Sequence, residues 1–120
     1  MTNTHINVGG HKITTNKVGT VHDISANIQS PWTGSGSVKY CVTNGWCQIR
    51  IWGVQNSYTD WSQRIFCTGV PKAKVGVASV GRLFTFYVFE GETQIIIEPG
   101  YSGPIYQTLE YAVADDWVES

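Results

Sequence analysis

Between Gln55 and Arg64 six side chains stand out, two amides, an acid, a base and two aromatic rings: Gln55, Asn56, Tyr58, Asp60, Trp61 and Arg64. Together such side chains suit a saccharide. A flat indole or phenol ring covers the C–H face of a sugar, and neighbouring amide, carboxylate and guanidinium groups bond its hydroxyls. These six are the candidate ligand-binding residues, with Trp32 and Tyr101 as further loop candidates. The same stretch runs on into a Gly69-Val70-Pro71 turn, so it also has the makings of a sandwich closure. On that reading Trp61, Ile65 and the Val70-Pro71 turn close the sandwich, while Tyr58, Asp60 and Arg64 face a ligand or a neighbouring subunit.

No catalytic constellation can be assembled. His5, His11 and His22 all lie in the polar first 36 residues. His5 and His11 are too far apart on a strand to share a metal within one chain, although one histidine from each chain of a trimer could meet on an axis. No nucleophilic serine motif and no Cys/His zinc spacing is present. Asp115 and Asp116 are adjacent, so on a strand they point to opposite faces, which counts against a carboxylate dyad. "GSGS" lacks the strand, helix and lysine that would make it a phosphate loop. The expectation is a non-enzyme with no catalytic residues, no metal and no cofactor.

The totals narrow the class. A chain of 120 residues builds one core. Only 14% of it is charged, against the usual quarter, which suits extracellular β-proteins and extended assemblies better than cytosolic enzymes. A net charge of −1 gives no general attraction to nucleic acid or anionic membranes. No apolar run approaches the ~20 residues that span a bilayer, and the start carries no signal-peptide core. Three cysteines leave at least one free thiol. Cys47 and Cys67 fall in apolar runs and are expected to be buried thiols.

The elements that must position these residues read as strands. In "WCQIRIW", Trp46 to Trp52, Cys47, Ile49 and Ile51 face one way and Trp46, Gln48, Arg50 and Trp52 the other. Asn44-Gly45 before it is a type I′ hairpin signal joining it to "SVKYCVT". Two indoles on the second face imply another buried surface, either the opposite sheet or another subunit. "LFTFYVFE" places Phe84, Phe86 and Val88 on one face; "TQIIIE" and "IYQTLEYAV" follow, with "SQRIFCT" and "KVGVAS" as shorter strands. Such spacing predicts an all-β, antiparallel β-sandwich, jelly-roll-like, over residues 37–120. Residues 1–36 are polar, with "TGSGS" as a joint, and read as an extended N-terminal arm or linker.

In order along the chain, "NGWCQIRIWG", an aromatic-rich loop, "WSQRIFCTGVPKA", the strand pair and the ending "YAVADDW" resemble the C-terminal domains of phage and prophage tail fibres, minor tail proteins and baseplate proteins. The resemblance covers roughly Ser37 to Trp117. It implies a homotrimeric head in the virion, assembled in the host cytoplasm beside other virion tail proteins, that binds a host cell-surface saccharide or wall polymer without entering a membrane. The alternatives are a free-standing carbohydrate-binding module or lectin, and a purely structural virion subunit.

Overall fold

The computed structural model describes residues 5–8 and 11–14 by their backbone, and 19–119 in full. Strands β1 (His5–Val8) and β2 (His11–Thr14) form an antiparallel hairpin. The remaining strands are β3 (His22–Asp23), β4 (Ser37–Thr43), β5 (Trp46–Asn56), β6 (Arg64–Thr68), β7 (Val77–Val80), β8 (Phe84–Val88), β9 (Gln94–Pro99) and β10 (Gly103–Ala112). They make two four-stranded antiparallel sheets, ordered β10-β5-β4-β3 and β6-β9-β8-β7. One 3-10 turn, Ser25–Asn27, is the only helical element among the described residues. The architecture is all-β and compatible with a β-sandwich.

The core follows from strand alternation. Val38, Tyr40 and Val42 on β4, Cys47, Ile49 and Ile51 on β5, and Ile105, Leu109 and Tyr111 on β10 meet Phe66, Phe84, Phe86, Val88, Ile95 and Ile97 from the other sheet. Phe66 stands edge-on to Phe86, with centroids 5.4 Å apart. The β4–β5 turn is as expected: Asn44 and Gly45 have φ of 52° and 74°, the pair of positive values that a type I′ turn requires.

The boundary expected at Ser37 moves. Residues 19–36 belong to the folded unit rather than to an arm, and of the expected arm the first 18 residues fall largely outside the described residues. β3 pairs with β4. Ile28 bridges Cys67, and the Gln29 N–H donates to the Phe66 carbonyl at 2.8 Å, so this segment runs along the free edge of β6. Trp32, expected on a loop as a ligand candidate, is only 1% exposed and packs between Phe66 and Tyr58. "TGSGS" is a close contact: a Cβ on Gly36, at φ +68°, would lie 2.4 Å from the Val54 nitrogen, so only glycine fits there.

The edge of β10 is also covered. Lys74 N–H donates to the Ala112 carbonyl at 2.9 Å and Ala114 N–H to the Lys72 carbonyl at 2.8 Å. Further along, Ser79 Oγ donates to the Thr108 carbonyl at 2.9 Å, and Gln107 Nε2 to the Ser79 carbonyl at 2.8 Å.

Two tests follow from these placements. A chain of residues 37–120 loses Ile28 and Trp32 from its core and should remain unfolded by circular dichroism; a cooperative melt in that fragment would restore the boundary at Ser37. All three cysteines are free. Burial pushes the Cys47 and Cys67 thiols up to about 12, and only the thiolate is nucleophilic. Iodoacetamide should therefore leave Cys47 and Cys67 unmodified in the native protein and alkylate both in urea, as read by mass spectrometry.

Candidate functional site

The candidate residues are placed by a single irregularity in β5. The register with β10 slips between Ile105, opposite Val54, and Tyr106, opposite Trp52. Gly53 is the residue left over, with φ of 75°, as in a bulge whose first residue is a left-handed glycine. The extra residue reverses the alternation. Up to Trp52 the odd-numbered side chains face the core; beyond Gly53 Val54 and Asn56 do, and Gln55 faces solvent.

Asn56 is therefore interior, 4% exposed, and its carboxamide is fully used. Oδ1 accepts from Trp32 Nε1–H at 3.0 Å and from the Tyr58 N–H at 3.2 Å. Nδ2 donates to the carbonyls of Tyr58 at 2.9 Å and Tyr101 at 2.7 Å. Two donors and two acceptor positions are the full capacity of an amide. This corrects the expectation for Asn56: it organises the end of the sandwich and offers no group to a ligand. Gln55 is exposed, and its backbone N–H donates to Ser35 Oγ at 3.1 Å.

Beyond β5 the roles expected of Tyr58 and Trp61 are exchanged. The Tyr58 ring is half-buried against the core, at a T-shaped angle to Trp32 with centroids 5.6 Å apart. Arg64 Cζ lies 3.9 Å from the Tyr58 ring centroid. The Arg64 guanidinium then grips Asp60 with both arms, Nη1 to Oδ1 at 2.7 Å and Nη2 to Oδ2 at 2.6 Å. Such a fork fixes geometry, but with both groups substantially exposed it contributes little stability. Tyr58, Asp60 and Arg64 thus form one stacked, internally paired unit.

Trp61 is the displayed residue. Its indole is 44% exposed, as against the expected core cap, and stands edge-on to Tyr101, itself 55% exposed. Ile65 is likewise exposed, whereas Val70 and Pro71 are buried as expected. Trp61 has φ of +59°, a conformation costly for a bulky residue and found where surrounding contacts over-determine it. Those contacts are present. The Trp61 N–H donates to the Pro99 carbonyl at 2.9 Å, and its indole lies flat on Gly100, where a Cβ would come 1.9 Å from Cζ2.

The remaining groups resolve as follows. His5 and His11 fall outside the residues whose side chains are described. His22 stacks on Tyr40 with centroids 4.7 Å apart, and its Nε2 lies 2.9 Å from Glu119 Oε2. Asp115 and Asp116 pair separately with Lys74 at 3.2 Å and Lys72 at 2.6 Å. Among the described residues no three His, Cys, Asp or Glu side chains come together as a metal site, and no helix is long and apolar enough to cross a membrane. Trp46, Gln48, Arg50 and Trp52 face outward from β5, with both indoles substantially exposed. Tyr106, which the sequence reading did not single out, joins them: it is the cross-strand partner of Trp52, at a T-shaped angle with centroids 4.9 Å apart. Comparison with protein-family models, with curated proteins and with solved structures finds no match to this chain.

Asn56→Ala should lower stability by about 2–4 kcal/mol in urea melts, because it strands a buried indole N–H and two carbonyls. Tyr101, held at its carbonyl, should become more mobile in the same variant. The Asp60 carboxyl offers a second test. The hydrogen bonds from Arg64 and from the Ser62 N–H hold it down, from the ordinary 3.8 to about 2. A group depressed on folding favours the folded loop fully above pH 3.8 and loses that contribution as pH falls through 2. Carboxyl NMR should place the Asp60 midpoint near 2, and Arg64→Gln should return it toward 3.8.

Proposed function

We propose that this chain is a non-enzymatic saccharide-binding domain, a jelly-roll-like head of the kind found at the ends of phage tail fibres and baseplates. In the virion it would work as a homotrimer on a host surface glycan or wall polymer. The observation that carries the saccharide reading is the Trp61–Tyr101 pair. Two exposed rings, one held in a costly backbone conformation and seated on a glycine, stand at one end of the fold. Rings held in this way keep a flat apolar surface available without the entropy cost of ordering them on binding. The low charge and the order of sequence motifs support the tail-fibre setting. One ring pair gives weak contacts, so three copies acting together would supply useful affinity.

The second reading, a free-standing carbohydrate-binding module, uses the same surface in a monomer. Light scattering separates the two: a trimer supports the fibre head, a stable monomer the module. For the site itself, Trp61→Ala removes the platform and Gly100→Ala drives the indole off its seat. Each should weaken retention of the chain in gels containing neutral polysaccharide by about three- to tenfold, with the circular dichroism spectrum unchanged. If both variants migrate as the parent does while the parent is retained, the end of the sandwich is not the saccharide site.

A further inference from the structure

The outer face of the β10-β5-β4-β3 sheet holds a second arrangement that the end of the sandwich does not explain. Lys39 on β4 and Arg50 on β5 are direct cross-strand partners. Like charges placed opposite each other in this way are unfavourable. The acids on this face do not compensate Arg50. Asp23, across from Lys39, turns its Oδ1 to the Ser25 N–H at 3.0 Å and to the Ser25 hydroxyl. Glu110 accepts from Gln48 Nε2 at 2.9 Å. Among the described residues Arg50 has no carboxylate partner; its guanidinium carbon lies instead 4.0 Å from the Trp52 ring centroid, within cation–π range.

Trp52 divides two depressions. One, of about 220 Å³, is lined by Ser37, Lys39, Arg50 and Trp52. The other, of about 500 Å³, runs along Trp52 and Tyr106 to Arg82 and Leu83. Gln107 shapes the second. Its Nε2 donates to the Ser79 carbonyl at 2.8 Å and lies 3.3 Å from the Phe84 carbonyl, which pins the β7–β8 turn carrying Arg82 against β10. Arg82 is exposed and pairs with no carboxylate among the described residues.

We infer that this trough binds an acidic polysaccharide, with uronate carboxylates at Arg50–Lys39 and at Arg82 and the sugar rings against Trp52 and Tyr106. Cations alone would suit any anion; the intervening aromatic surface selects one whose charges are separated by apolar ring faces. A nucleic acid fits less well. It needs a continuous cationic track for its phosphates, and this chain has a net charge of −1 with three cations along the trough. The trough adjoins the Trp61–Tyr101 end, since the carbonyl of Leu83 in its lining accepts from the Gly100 N–H at 2.9 Å, but neither Trp61 nor Tyr101 lines it, so the two sites are tested separately.

Affinity electrophoresis of the whole chain, in gels containing polygalacturonate, neutral dextran or oligo(dT), tests it. Polygalacturonate should retard the chain, and added salt should weaken the effect. Arg50→Gln and Arg82→Gln should each weaken retention about tenfold, the loss of one charge-assisted hydrogen bond. Arg50→Lys, which keeps the charge without the fork, should weaken it as well. Trp61→Ala should leave it unchanged, whatever it does to dextran. All four variants change exposed side chains, and unaltered circular dichroism spectra identify those that fold. No retardation by polygalacturonate, retardation by oligo(dT) of equal strength, parental behaviour of both arginine-to-glutamine variants, or loss of polygalacturonate retention in Trp61→Ala would each overturn the inference.

Discussion

The Asn56 carboxamide is the joint on which one end of this molecule depends. It ties a core indole, Trp32, to two loops that arrive from different parts of the chain, through Tyr58 and Tyr101. A polar group taken out of water is costly unless all its partners are present. Moving the Tyr58 loop would break two bonds of a buried amide, and moving the Tyr101 loop one. The loops are consequently fixed relative to the core, although their outer side chains are exposed. Flat rings on fixed loops are what a saccharide site of modest size requires, since ordering a flexible loop on binding would consume the affinity it provides.

The displayed rings of Trp61 and Tyr101 depend on the same joint at one remove. Tyr101 is held by its carbonyl to Asn56, and Trp61 by its N–H to Pro99, next to the Gly100 on which the indole lies. The Arg64–Asp60 fork and the Tyr58 ring beneath it brace the intervening turn. Charge and aromatic character at this end are therefore spent largely on internal order. Along the trough the balance differs: among the described residues neither Arg50 on β5 nor Arg82 on the β7–β8 turn has a carboxylate partner, and the Trp52 and Tyr106 rings beside them are exposed.

The sequence made most of the strands legible. Alternation in "WCQIRIW" and "LFTFYVFE" reports which side chains enter the core, and Asn44-Gly45 fixes the hairpin. It failed where local polarity and global position disagree. Trp32 is surrounded by Ser, Pro, Thr and Gly, so nothing nearby signals that it fills the core; only the distant Asn56, Phe66 and Tyr58 make a pocket for it. Gly53 read as the end of a strand, whereas it is a bulge inside one. The strand signal stops there and leaves Asn56 on a loop, whereas the bulge carries β5 on to Asn56 and turns that side chain inward. The exchange between Tyr58 and Trp61 has a separate origin: the positive φ at Trp61 and the seat offered by Gly100, far along the chain, hold the indole outward. Arg50, Trp52 and Tyr106 were harder still, because their significance lies in being neighbours across strands rather than along one.

The covered strand edges bear on how copies of this protein can associate. Residues 28–29 lie along β6, the 72–74 stretch and Ser79 lie along β10, and β3 is only two residues long. Backbone groups that would otherwise template a further strand are already engaged at these positions. Edge-to-edge growth by continuous hydrogen-bonded sheet, the route to insoluble fibrils, is thereby obstructed at these edges, and neighbours are left to meet there through side chains. That distinction separates a defined contact between two copies from runaway polymerisation.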